Sequence, residues 1–136
     1  MKITTFTLRV VRNYPISSVC ILLIWYLSFF TPPKAPLPEV EFADKWAHIV
    51  MYGGTCGVIW AEYLRRHRTM VQWQKVVAWG YVAPILMSGL IEILQAYCTN
   101  GRRSGDWYDF LANILGCTLA AIIGWVVSTV RHRSPK

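Results

Sequence analysis

Charge is scarce in this sequence. Only 15% of its 136 residues are Asp, Glu, Lys or Arg, against about a quarter in soluble domains, which argues against an ordinary water-soluble protein. Low-complexity segments and internal repeats are missing. Four cysteines, Cys20, Cys56, Cys98 and Cys117, fit neither a zinc motif nor a disulfide framework, so small apolar filler is their expected role. No small-x-small cleavage pattern follows the first apolar run, which ends Ser-Phe-Phe-Thr-Pro-Pro; that run is expected to stay in place as an uncleaved span. Nor is there a Ser/His/Asp order, a phosphatase signature or a familiar nucleophile motif.

Apolar surface fills the chain instead. Hydrophobic residues make up 54% and aromatics 14%, which excludes a disordered tail, and mean hydropathy is +0.34. A hydrocarbon core about 30 Å thick takes about 20 helical residues. Four runs approach that length: residues 14–30, 44–64, 76–97 and 107–130. Short connections leave no room for a soluble domain. The expected fold is therefore all-α, one membrane domain over residues 1–136 built as a bundle of four transmembrane helices. Pro84 is expected to bend the third span. Gly53 and Gly57, and the run Ala112, Gly116, Ala120, Gly124, are expected to form smooth faces for close helix contact.

Basic residues orient the chain. Lys2, Arg9, Arg12, Arg65, Arg66, Arg68, Lys75, Arg131, Arg133 and Lys136 fall on one side, with Glu62 as its single acid. Lys34, Lys45, Arg102 and Arg103 fall on the other, with the remaining six acids. The first side is expected to be cytoplasmic and to hold both termini, in a bacterial inner (cytoplasmic) membrane. The basic excess is thereby an orientation signal, and nucleic acid is not an expected partner.

The informative residues are the polar ones inside apolar helices, because ionisable groups in a bilayer usually have a partner or a function. Asp44 and His48 lie one turn apart, with Tyr52 a further turn on; Glu92 and Gln95 share a face; Asp106, Asp109 and Asn113 follow one ridge. Each sits toward the outer end of its helix. Glu92, five residues before Tyr97, is about 7–8 Å in from that end. Three helices are therefore expected to build one polar layer near the outer leaflet. Asp44 and Asp106 can also serve as helix caps, Lys45 can snorkel, and Glu92 can pair with Arg103. Trp46, Tyr97, Trp107 and Tyr108 are expected to form an interfacial aromatic belt.

Three segments carry a resemblance: Asp44-Lys45-Trp46-Ala47-His48, Glu92-Ile93-Leu94-Gln95, and Arg103-Ser104-Gly105-Asp106-Trp107-Tyr108-Asp109 running on to Asn113 and Gly116. Together they resemble the VanZ-like membrane proteins over about residues 44–124. The namesake of that family is associated with resistance to glycopeptide antibiotics of the teicoplanin type. The resemblance implies a place in cell-envelope biology, and does not name a reaction.

The expected function is an outward-facing ionisable site that acts on, or holds, an envelope lipid or lipid-linked precursor. His48, Glu92, Asp109, Asp44 and Asp106 are its expected acid–base groups, and Lys45, Arg103, Gln95, Asn113 and Tyr52 its expected substrate contacts. Two other readings use the same residues: a non-catalytic protein that binds or shields a lipid or precursor, and a small proton-coupled transporter working as a homodimer through Glu92. No cofactor is expected. Asp44, His48, Glu92, Asp106 and Asp109 are chemically suited to a divalent metal, but their spacing matches no standard motif and nearby Lys and Arg can neutralise the acids.

Overall fold

The computed structural model describes residues 2–30, 43–101 and 105–134. Arg102 and Arg103 lie outside these residues, as does the connection from Thr31 to Phe42. Every regular element among the described residues is helical: α1 (Lys2–Asn13), α2 (Pro15–Phe29), α3 (Ala43–Arg66), α4 (Trp73–Val77), a π turn (Ala78–Val82), α5 (Ala83–Cys98) and α6 (Trp107–Arg133).

Helices occupy three of the expected spans with slightly longer ends. The first differs. Residues 2–13, whose Lys2, Arg9 and Arg12 served only as orientation signals, form a helix that meets α2 at 107°. The break falls at Tyr14 because a residue before proline is pushed out of the helical region; its φ and ψ are −130° and 62°. Lys2, Arg9 and Arg12 take one side of α1 while Ile3, Val10 and Val11 stand exposed away from them, and no α1 residue is buried. The elbow is tied to the end of α3. Glu62 accepts from the backbone N–H of Ile16 and Ser17, both at 3.1 Å, and from Ser17 Oγ at 2.6 Å, placing a carboxylate at the positive end of α2. Arg66 donates to the Asn13 carbonyl at 2.6 Å and lies over the Tyr14 ring.

By length and composition, two helices can cross a membrane: Trp73–Cys98, which joins α4, the π turn and α5, and Trp107–Arg133; the α1–α2 pair makes a third if it counts as one span. At 15 residues, α2 alone reaches about 22 Å. α3 has 24 residues but carries charge near both ends, Asp44 and Lys45 at one and Glu62, Arg65 and Arg66 at the other.

The helices alternate in direction. The start of α2 meets the end of α3 through Glu62, and the end of α2 meets the end of α5, where Gln95 Nε2 donates to the Ser28 carbonyl at 2.7 Å. α3 and α6 consequently run parallel; Arg131 donates to the Leu64 carbonyl at their C-terminal ends. One end of the bundle is basic and the other holds the polar layer.

α3 and α6 form the central pair. A Cβ on Gly116 would come within 2.5 Å of the Ile49 carbonyl oxygen, and one on Gly53 within 3.2 Å of the Gly116 oxygen. Ala112, Gly116, Ala120 and Gly124 are all buried, as their four-residue spacing implied. Gly57 departs from that expectation, since a Cβ there would meet nothing within 4 Å. Around the contact, Ile24, Tyr52, Cys56, Ile91, Cys117 and Ala120 make the core. All four cysteines are free, and the thiols of Cys56 and Cys117 touch at 3.2 Å.

Pro84 leaves its mark as the π turn before it. Lacking an N–H, proline cannot take the carbonyl four residues back. That carbonyl, on Gly80, accepts from the Trp60 indole at 3.2 Å instead. Outside the core, Leu22, Leu86, Leu90, Ile93, Leu115, Leu119 and Ile123 are exposed, an apolar girdle suited to acyl chains.

Candidate functional site

The polar layer forms where the first turns of α3 and α6 meet the last turns of α5. Asp106 is the cap of α6: its Oδ1 accepts from the Tyr108 N–H at 2.9 Å. Its other oxygen takes Lys45 Nζ at 2.8 Å, and the same ammonium pairs with Asp109 Oδ1. Lys45 is thus turned inward onto two carboxylates rather than outward to solvent. The Lys45 ammonium, followed by the Tyr108 N–H, holds the Asp106 carboxyl below the usual carboxylate range.

His48 stands one turn along α3. Its Nδ1 lies 3.0 Å from Asn113 Oδ1, and its Nε2 lies 3.6 Å from Asp109 Oδ2 and 4.0 Å from Asp44 Oδ1. An amide oxygen only accepts, so Nδ1 carries the proton in that bond and Nε2 is the atom presented to the two acids. Glu92 is buried, and its Oε2 accepts the Asp106 N–H at 3.1 Å. Gly105 makes this approach possible, because a Cβ there would overlap the Glu92 carbonyl oxygen. Exposure falls steadily inward, from 67% for the Asp44 side chain through 26% for Lys45 to 11% for Asp109, and Asn113 is fully buried. The layer opens at one side and closes at its base.

Asp44, Lys45, His48, Glu92, Asp106, Asp109 and Asn113 are therefore brought together. Two expected contacts are not part of that group in the same sense. Gln95 is buried with its amide nitrogen committed to α2, which makes it a helix tie. Tyr52 is 1% exposed and belongs to the apolar core. Arg103 lies outside the described residues. Gly105 and Glu62 were not singled out as positioning residues. A glycine directly before a capping Asp was the available signal for the first; for the second there was none, since its partners are backbone amides 45 residues away. Trp46, Tyr97, Trp107 and Tyr108 are all exposed at this end, as an interfacial belt requires.

Two clefts lie elsewhere. One of about 580 Å³ between α3 and α6 at the basic end is lined by Leu64, Arg65, Val127 and Arg131, among others, and one of about 270 Å³ by Trp60, Trp73, Tyr81 and Trp125, among others. Neither includes a residue of the polar layer; the first pairs aliphatic walls with Arg65 and Arg131, and the second is mainly aromatic.

A family model described as VanZ/LLP1 matches residues 4–128. The chain belongs to this family. The match covers every described residue of the polar layer and extends over α2 and most of α1, beyond the three segments that carried the sequence resemblance. With its apolar helices, the chain is a membrane protein of the VanZ-like family. Comparison with curated proteins and with solved structures finds no significant match.

Proposed function

We propose that this VanZ/LLP1 protein acts on, or holds, a cell-envelope lipid or lipid-linked precursor at a polar site facing the extracytoplasmic side of the bacterial inner membrane. The observation that carries this reading is the meeting of α3, α5 and α6 side chains in one layer at one end of an apolar bundle. Ionisable groups are costly in a bilayer and cluster where there is work for them. In this reading α2, α3, α4–α5 and α6 cross four times with both termini cytoplasmic, an orientation supported by the basic residues gathered at the other end. In that arrangement α1, at 107° to α2, runs along the cytoplasmic surface with Lys2, Arg9 and Arg12 among anionic headgroups.

His48 and Glu92 are the groups suited to general acid–base work, and Asn113 orients the imidazole through Nδ1. Holding without turnover is the second reading, favoured by one observation: Lys45 already pairs with two aspartates, a clamp between helices rather than a free cation. The proton-coupled exporter draws less support, because Glu92 is bound to the Asp106 amide near one end of the bundle, whereas transporter sites lie near the midplane.

The test is in cells. Glu92→Gln and His48→Ala are expected to change the envelope-lipid profile or the sensitivity to glycopeptide antibiotics. Unchanged behaviour in both assays, at wild-type expression, would reject the proposal.

A further inference from the structure

We infer that Asp44, His48 and Asp109 hold a divalent cation at the open side of the polar layer. One ligand atom from each residue lies within 4.8 Å of the other two. The separations of His48 Nε2 from Asp109 Oδ2 and Asp44 Oδ1, 3.6 and 4.0 Å, are longer than a sound hydrogen bond. Two atoms that share a cation at about 2.1 Å stand about 3.0–4.2 Å apart, and both separations fall in that interval. Asp44 is the most exposed of the three, so its carboxylate has room to close on an ion.

Two features support the assignment. First, Asn113 holds the Nδ1 side of the imidazole at 3.0 Å, which aims Nε2 at the carboxylates; ligating histidines are oriented through their other nitrogen in this way. Second, the described part of the layer sets Asp44, Glu92, Asp106 and Asp109 against Lys45 and His48 alone. Lys45 takes Asp109 Oδ1 and leaves Oδ2 facing the histidine. Two carboxylates with one imidazole suit Mn²⁺ or Zn²⁺.

The ion would keep coordination positions open toward the exposed side. A phosphate oxygen entering there would meet positive charge rather than four acids; this role for the ion, unlike its binding, rests on the function proposed above. An imidazolium between the two aspartates would also satisfy the geometry, and binding measurements separate the two.

The full chain, purified in detergent and stripped with a chelator, is titrated with Mn²⁺ and followed by electron paramagnetic resonance. About one Mn²⁺ per chain is expected, displaced by Zn²⁺. Asp44→Asn, a change at an exposed position, and His48→Gln should abolish it, while Asn113→Ala should weaken it about tenfold. Helical content by circular dichroism confirms that each variant is folded. No stoichiometric binding by the wild type, or wild-type binding by folded Asp44→Asn and His48→Gln, would overturn the inference. Native mass spectrometry of the same samples with and without chelator separates the two proposals. Lipid retained by a chain that binds no Mn²⁺ sinks the metal alone; Mn²⁺ bound by a chain that never retains lipid sinks the lipid reading alone.

Discussion

Lys45 shares one ammonium between Asp106 and Asp109 and so ties α3 to the first turn of α6. Removing it would leave two carboxylates facing each other beside an apolar core, and uncompensated charge costs more than the pair itself contributes. Lys45→Met is therefore expected to lower the thermal unfolding temperature by several degrees. Asp106→Asn, which keeps an oxygen for the Tyr108 amide, should lower it less. The pH dependence has a definite sign. Asp106 has a depressed pKa when folded, so its stabilising effect is present above the ordinary carboxylate pKa and fades as pH falls below about 4. The gap in unfolding temperature between wild type and Asp106→Asn should be constant at neutral pH and shrink in acid below that point. Asp44, His48, Glu92, Asp109 and Asn113 were legible in the sequence because i, i+3 and i, i+4 spacing puts polar groups on one helix face. Spacing does not say which neighbour that face meets. Gln95 shares its face with Glu92 yet bonds to α2, and Tyr52 continues the ridge of His48 yet ends in the core.

Close packing of α3 on α6 sets the position of the layer. Gly116→Ala would drive a methyl group into the Ile49 carbonyl, and overpacking of this kind costs about 1–3 kcal/mol. Gly57→Ala meets open space and should be neutral or stabilising by up to about 1 kcal/mol. Chemical or thermal unfolding of the two variants checks the contrast. The glycine and alanine spacing on α6 announced this contact. α1 went unread because its basic residues were counted only as topology signals, although Ile3, Phe6 and Val10 already had helical spacing. The turn at Tyr14 needed the proline rule applied to the residue before Pro15. Spin labels placed in a cysteine-free background should find position 11 accessible to oxygen dissolved in acyl chains and position 9 accessible to water-soluble relaxants.

At the scale of the whole molecule, the sequence distribution of Lys and Arg implied one basic end, and Arg66 and Arg131 do lie together at one end of the bundle. The number of crossings was less legible: His48, Tyr52, Thr55, Glu62 and three glycines make α3 less apolar than its neighbours, and two helices, or three if the α1–α2 pair is one span, are long and apolar enough to cross. Cys98 gives a native reporter of orientation, being an exposed thiol at the polar end. A membrane-impermeant maleimide should label it in intact spheroplasts; labelling only after permeabilisation would reverse the orientation. The most direct test of the central claim is native mass spectrometry of the gently purified wild type beside folded Glu92→Gln and Asp109→Asn. The wild type is expected to carry a phosphate-bearing envelope lipid that both variants lose. The same lipid complement on all three proteins would contradict a functional site in the polar layer.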